Sequence, residues 1–173
     1  MEKQGILMAR DAIRFERSLN GSLEKVWSYV TESDKRGKWL ATGEMELFEG
    51  GQVNLHFLHK ELSPISGPPP EKYKALECGQ HVKGKVLKIN PPYLLSFTWD
   101  GDSEVTIELV EAENKVLLTL THRKLPDSKE VLISVAGGWH THLDILADCL
   151  QGKSSPNFWV THTKLEELYS TLI

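Results

Sequence analysis

The segment Lys129–Leu150, KEVLISVAGGWHTHLDILADCL, decides the fold of this chain. Its apolar residues recur at the spacing of one helix face, at Leu132, Val135, Ala136, Trp139, Leu143, Leu146 and Leu150. A helix of this length is about 33 Å long, and a sheet of about six or seven strands is about 30 Å across. The segment therefore predicts a helix that crosses a sheet from edge to edge. Its pair Gly137-Gly138 costs up to ~2 kcal/mol relative to alanines, which indicates close packing or a kink.

The residues before this helix show the two-residue period of β-strands. Apolar patterns predict strands at 11–19, 53–57, 81–89, 94–99, 105–109 and 116–120, and from Glu44 onward Met45 and Leu47 alternate with acids. Turn residues separate the strands at Glu49-Gly50-Gly51, Asn90-Pro91-Pro92, Asp100-Gly101 and Glu113-Asn114. Strands joined by such short turns run antiparallel.

Shorter helices flank this sheet. Ser22 is a good N-cap for a first helix, whose apolar face is Leu23, Val26, Trp27 and Val30. A second helix is expected from Ser33 to about Trp39-Leu40. Gly152 suits the C-cap of the long helix. Ser155 and Pro156 predict the N-cap and first residue of a terminal helix.

The order of elements predicts an α+β fold in which a curved antiparallel sheet wraps around the long helix. Antiparallel sheets curl because their strands twist. A gap between the concave face and the helix forms a cavity of the kind that holds apolar ligands. We expect one domain over residues 1–173, with a core at 11–152 and the terminal helix at 153–173.

The composition and net charge of the chain argue against some classes of binding partner. Of the 173 residues, 40% are hydrophobic and 25% charged, and the net charge is −4 without a basic run. Nucleic-acid binding and attraction to an anionic membrane are therefore not expected. Neither a signal peptide nor a membrane span is predicted. Cys78 and Cys149 are expected to be reduced thiols in a cytoplasmic protein.

The histidines do not form a metal-binding pattern. His140 and His142 are two residues apart on a helix and point about 200° apart, so they cannot share one ion. Cys78 and His81 match half of a zinc pattern without a second half. Nucleotide and hydrolase motifs are missing from the sequence. We therefore predict no metal, no cofactor and no catalytic residue.

His122 remains as a residue suited to acid–base chemistry, with Glu104 or Asp144 as its partner. A histidine at the end of a strand is more often a hydrogen-bonded structural group, and we favour that interpretation.

Bulky aromatic residues lie near the expected cavity. They either pack in the core, as aromatic residues commonly do, or line the cavity mouth and stack on an aromatic ligand. Core packing is the favoured interpretation, and the alternation that places Phe57 and Trp99 on one sheet face is the observation behind the second. The candidate ligand-binding residues are Trp39, Phe57, Trp99, His122, Trp139 and Leu143.

A set of short motifs resembles a known family when taken in order. They are Val26-Trp27, Lys38-Trp39-Leu40, Glu49-Gly50-Gly51, Gly84 with Val86-Leu87, Phe97-Thr98-Trp99, Leu118-Thr119-Leu120-Thr121-His122, Gly138-Trp139, Leu143, and Phe158-Trp159 to Tyr169. The set resembles the START-like (SRPBCC) superfamily and, within it, the activator of heat-shock-protein-90 ATPase homologue family. The resemblance covers nearly the whole chain after Asp11 and implies a helix-grip fold.

The resemblance implies several functions, because fold alone does not determine function. The family includes domains that stimulate the chaperone's ATPase. The wider superfamily includes lipid-transfer domains, polyketide cyclases and plant hormone binders. We expect a small hydrophobic or aromatic ligand, with a co-chaperone-like interaction module as the alternative. A cyclase-like enzyme would need a polar group inside the cavity, and Asn54, His56 and His122 are the candidates.

Residues 59–78 depart from the family pattern. This segment is long and irregular and contains Gly67-Pro68-Pro69-Pro70. The favoured interpretation is a tolerated surface insertion, because lengthening a loop costs little entropy. The alternative is a lid or a partner-contact loop.

Overall fold

A computed structural model describes residues 3–173 and contains a single seven-stranded sheet. The strands are β1 (Ile6–Ala9), β2 (Ala12–Asn20), β3 (Gln52–Phe57), β4 (Gln80–Asn90), β5 (Leu94–Trp99), β6 (Ser103–Ala112) and β7 (Lys115–Arg123). The helices are α1 (Leu23–Thr31), α2 (Ser33–Arg36), α3 (Lys129–Leu150) and α4 (Phe158–Leu172). The sheet order is β1-β2-β7-β6-β5-β4-β3, with antiparallel neighbours throughout.

The curved sheet wraps around α3, as the sequence predicts. The hydroxyl of Ser128 caps α3 by accepting from the backbone N–H of Val131 at 3.3 Å. The inner face of α3 is buried against the strands through Leu132, Ala136, Leu143 and Leu146. Alternate residues of the central strands face this helix, which explains the two-residue period in the sequence.

Gly137 is a point of close packing between α3 and α4. A methyl group at Gly137 would lie 3.2 Å from Cγ of Glu166 on α4. The absence of a side chain therefore lets the terminal helix approach the long helix. Gly152 follows α3 with a φ of +67° in the left-handed region, as expected for a helix that ends at a glycine.

Several element boundaries differ from the sequence predictions. The alternation at Met45 and Leu47 forms only an isolated bridge from Met45 to Val53, because Leu47 is exposed and the segment has no continuous buried face. The edge strand β1 was not predicted, since its four residues are all exposed.

Two predicted helix boundaries also differ from the structure, the end of α2 and the start of α4. Helix α2 ends at Arg36 and not near Trp39-Leu40, because the Arg36 guanidinium folds back onto the carbonyl oxygens of Thr31 (2.8 Å) and Ala41 (3.1 Å). Helix α4 begins at Phe158 with Asn157 as its N-cap. The predicted cap, Ser155, instead donates its hydroxyl to Asp148 at 3.0 Å.

The insertion (residues 59–78) contains two short 3-10 turns, His59–Glu61 and Glu71–Leu76, and lies against the helical side of the molecule. Within residues 3–173, no helix combines the length and apolar character needed to cross a membrane.

Candidate functional site

A cavity of about 320 Å³ lies between the sheet and α3. This volume is at the lower end of the ~300–1,000 Å³ typical of small-molecule sites. Strands β3, β5 and β7, helices α3 and α4 and the insertion all contribute to its wall. The lining residues are Leu40, Phe57, His59, Tyr73, Leu76, Gln80, Trp99, His122, Ser134, Val135, Gly138, Trp139, His142, Phe158, Trp159 and His162. None of these is an aspartate, glutamate, lysine or arginine, so the described wall is apolar and aromatic with neutral polar atoms.

Aromatic side chains form one continuous wall of the cavity. The ring of Trp99 lies 5.5 Å from that of Phe57 and 5.2 Å from that of Trp139, measured between ring centroids. These three residues come from β5, β3 and α3, so the sheet and the long helix meet through aromatic contacts. Edge-to-face contacts of this kind contribute about 0.5–1.5 kcal/mol beyond simple burial.

His122 is part of a hydrogen-bonded chain behind this wall. The indole N–H of Trp139 donates to Nδ1 of His122 at 3.0 Å, which requires the imidazole proton on Nε2. His122 Nε2 then donates to the Ser103 hydroxyl at 3.1 Å, and Ser103 donates to the Trp99 carbonyl at 2.6 Å. Burial lowers the pKa of His122 to about 4. His122 therefore stays neutral and holds the Trp139 ring in place.

His142 is a second neutral histidine of the cavity wall. Its Nδ1 lies 2.7 Å from the carbonyl oxygen of Trp39, which can only accept, so the proton is on Nδ1. Burial, together with His59, lowers the pKa of His142 to about 3. The Nε2 atom of His142 is consequently an unprotonated acceptor.

Two further histidines, His59 and His162, pack against Phe158 and Trp159 at the start of α4. The His59 ring lies 4.5 Å from Phe158 and 4.9 Å from Trp159, and the His162 ring lies 5.7 Å and 5.6 Å from the same residues. Burial and the nearby His162 lower the pKa of His59 to about 4. Burial likewise lowers the pKa of His162. The histidines of the cavity wall are thus uncharged near neutral pH.

The insertion contributes Tyr73 to the cavity wall. The Tyr73 hydroxyl donates to the carboxylate of Glu166 on α4, and the Ser134 hydroxyl on α3 lies 2.7 Å away as its second partner. The Tyr73 ring also stacks on Trp159 at 5.3 Å. Burial and the bond to Glu166 raise the pKa of Tyr73 to about 12. Lys72 adds an ion pair to Glu166 at 2.6 Å.

A second group of hydrogen bonds joins the insertion to the connection between α3 and α4. Ser63 donates to the carbonyl oxygen of Ser155 at 2.8 Å, and Asn157 donates to the carbonyl oxygen of Ile65 at 3.1 Å. The insertion is therefore attached to the rest of the protein at both of its halves.

The structure brings Phe57, Trp99, His122 and Trp139 together at the cavity. Trp39 and Leu143, in contrast, are fully buried in the core and do not line it. Trp39 donates its indole N–H to the carbonyl oxygen of Tyr29 at 2.7 Å and is held away from the cavity. Sequence reasoning missed His59, Tyr73, His142, Phe158, Trp159 and His162 as wall residues.

One signal for part of the missed wall is present in the sequence. Phe158, Trp159 and His162 share one face of α4 at helical spacing. The side chains of the insertion carry no comparable periodicity, so their position over the cavity follows only from the fold.

The candidate acid–base partners of His122, Glu104 and Asp144, pair with other residues. Glu104 pairs with Lys124 at 2.5 Å, and Asp144 faces His140 at 3.5 Å and Arg17 at 3.4 Å. Both cysteines are free thiols. Across residues 3–173, no group of three or more His, Cys, Asp or Glu side chains is arranged to hold a metal ion.

The curved antiparallel sheet and the long helix, with an aromatic cavity between them, define a START-like domain with the helix-grip fold. The chain belongs to the activator of Hsp90 ATPase homolog 1-like family, whose model matches residues 20–151.

Solved structures from bacteria share the architecture. A Bordetella parapertussis protein determined by NMR is 37% identical, with a TM-score of 0.81 over 99% of this chain and 91% of that chain. The crystal structure of CalU16 from Micromonospora echinospora is 24% identical, with a TM-score of 0.68 over 93% of this chain and 87% of that chain. A conserved Enterococcus faecalis protein of unknown function is 18% identical, with a TM-score of 0.66 over 98% and 91% of the respective chains. No curated protein sequence matches significantly.

Proposed function

We propose that this protein binds a small, mainly apolar ligand in the cavity between the sheet and α3. The observation that carries the proposal is the cavity of about 320 Å³ lined by the aromatic side chains of Phe57, Trp99 and Trp139. Transferring apolar surface from water into such a site contributes about 25 cal/mol per Å². Planar ligands gain further from contacts with the indole rings.

A binding role is favoured over a catalytic one by the state of the polar groups in the wall. Both ring nitrogens of His122 are occupied by Trp139 and Ser103. General acid–base catalysis works best with a pKa near the operating pH, whereas burial lowers the pKa of His122 to about 4. The other candidate polar residues, Asn54 and His56, do not line the cavity.

Gly138 offers a direct test of the cavity. It lines the space, and a methyl group there would meet only Nε2 of His162, at 4.0 Å. The substitution Gly138→Leu therefore fills the cavity from α3 and, as glycine is a poor helix former, does not weaken the helix. Gly138→Ala is the matched control, because it adds a side chain but leaves most of the volume.

The experiment titrates tryptophan fluorescence and heat of binding with a panel of planar hydrophobes, including flavonoids, and with fatty acids. We expect saturable binding to the wild-type chain and to Gly138→Ala, and at least tenfold weaker binding to Gly138→Leu. If no member of the panel binds the wild-type chain saturably, or if Gly138→Leu binds equally well, the ligand is not held in this cavity.

Membership of the Hsp90-activator family supports a second candidate function, stimulation of a chaperone ATPase. The test measures the ATPase rate of the Hsp90 chaperone from the same cell with and without this protein. A surface interaction predicts equal stimulation by the wild-type chain and Gly138→Leu. An unchanged rate at saturating protein would contradict this function.

A further inference from the structure

Several polar atoms of the cavity wall have hydrogen-bond partners within the protein. His122 and Trp139 bond to each other, and Ser134 and Tyr73 do the same. His142 has one bonded nitrogen, Nδ1, which lies 2.7 Å from the carbonyl oxygen of Trp39, whereas Nδ1 of His59 and Nδ1 of His162 are buried without a partner. The proton position of His142 is therefore fixed by a protein partner, which leaves its Nε2 free to accept a hydrogen bond.

The orientation of the His142 ring follows from that bond. The two nitrogens of an imidazole point to opposite sides of the ring, so Nε2 is directed away from the Trp39 carbonyl, on a ring that lines the cavity. With the proton on Nδ1, Nε2 can accept a hydrogen bond but cannot donate one. The tautomer is set by the backbone and does not depend on the ligand.

We propose that His142 Nε2 accepts a hydrogen bond from the ligand, which is therefore an uncharged apolar molecule carrying a hydroxyl or N–H donor. This inference rests on the proposed binding function and specifies the chemistry of its ligand. A donor group suits the acceptor at Nε2. An uncharged ligand suits a wall that contains no aspartate, glutamate, lysine or arginine.

Electrostatics exclude the main alternative, an anionic ligand such as a fatty acid. An ion transferred into an apolar site loses its hydration and needs a compensating charge. Protonated histidine is the only cation that this wall could supply. Burial opposes it, since the pKa of His142 is lowered to about 3 and that of His59 to about 4.

The test compares three probes of similar size on the wild-type chain by titration calorimetry: 2-naphthol, 2-methylnaphthalene and 2-naphthoate. The first carries a donor, the second none, and the third is an anion. One neutral hydrogen bond is typically worth up to a factor of about ten in affinity. We expect 2-naphthol to bind about tenfold tighter than 2-methylnaphthalene, and 2-naphthoate to bind the weakest.

Two variants then identify the residue that accepts the hydrogen bond from 2-naphthol. His142→Phe should bind 2-naphthol and 2-methylnaphthalene equally, whereas the control His59→Phe should keep the preference for 2-naphthol. In spectra of the wild-type chain with ¹⁵N-labelled histidine, 2-naphthol should shift the unprotonated Nε2 resonance of His142, and 2-methylnaphthalene should not. This readout does not depend on the stability of any variant.

The outcomes separate this inference from the function on which it rests. Equal binding of 2-naphthol and 2-methylnaphthalene by the wild-type chain overturns the donor proposal and leaves the apolar cavity site intact. Tightest binding of 2-naphthoate overturns the uncharged ligand. If His59→Phe loses the preference for 2-naphthol and His142→Phe keeps it, the hydrogen bond is made by His59. That result overturns the proposal for His142. Failure of all three probes to bind overturns the donor proposal, whereas the apolar cavity site is overturned only if no member of the wider panel binds.

Discussion

The indole N–H of Trp139 on α3 and Nδ1 of His122 on β7 lie 3.0 Å apart, and this hydrogen bond joins the long helix to the sheet at the cavity wall. The bond places a polar contact inside an otherwise aromatic surface. It also orients the Trp139 ring against Trp99 at 5.2 Å. The shape of the cavity thus depends on a buried pair that must stay neutral.

Replacing His122 by phenylalanine should destabilise the protein by about 1–3 kcal/mol, because the Trp139 N–H is left buried without an acceptor. Urea denaturation measures this loss. His81→Phe is the control, since His81 is exposed and surface substitutions usually change stability by less than about 0.5 kcal/mol. Equal stability of the two variants would mean that the Trp139–His122 bond contributes nothing.

Acidification should destabilise the fold before most carboxylates titrate. Burial lowers the pKa of His122 and His140 to about 4 and that of His142 to about 3, below the ordinary value of 6.5. Below pH 6.5 the unfolded chain therefore binds more protons than the folded chain. The stabilisation is complete above pH 6.5 and is lost progressively as the pH falls towards 4.

The check is the urea midpoint measured at intervals from pH 7.5 to pH 4.5, which should fall steadily below pH 6.5. Variant His142→Phe removes one of these groups and should show a shallower decline. A midpoint that is constant down to pH 5 would contradict the burial of neutral histidines.

Tyr73→Phe should loosen the insertion without unfolding the sheet. The substitution removes the hydroxyl that bonds to Glu166 and Ser134 but keeps the ring on Trp159. Hydrogen exchange should become at least severalfold faster in residues 59–78 and stay unchanged in β6 and β7. Tyr93→Phe, at an exposed position, is the matched control; similar exchange in both variants would show that Tyr73 does not hold the insertion.

Side chains introduced at the neighbouring glycines of α3, Gly137 and Gly138, should change the stability of the protein in opposite directions. A methyl group at Gly138 has ordinary space, so Gly138→Ala should stabilise the protein by up to about 1 kcal/mol through helix propensity. At Gly137, a larger side chain collides with Glu166, so Gly137→Leu should destabilise by about 1–3 kcal/mol. Thermal unfolding of the two variants decides this; a stabilised Gly137→Leu would refute the close contact of α3 and α4.

Much of the fold could be predicted because the relevant signals are local. The bounds of α3, Lys129–Leu150, follow from its apolar stripe and from Gly152, which suits the C-cap. The central strands follow from alternation, since a buried face requires an apolar residue at every second position. The predictions failed where that requirement is relaxed, at the exposed edge strand β1 and at the isolated bridge of Met45.

Most helices and strands, and the contact of an apolar sheet face with an apolar helix, follow from local patterns in the sequence. Which side chains line the cavity depends on the folded structure. Phe57, Trp99, His142 and Trp159 are far apart along the chain and meet through the curvature of the sheet and the approach of α4. The proton on His142 Nδ1 is likewise set by a carbonyl 103 residues away in sequence. The period of apolar residues shows which face of a helix or strand is buried. Which other element packs against that face depends on the folded structure.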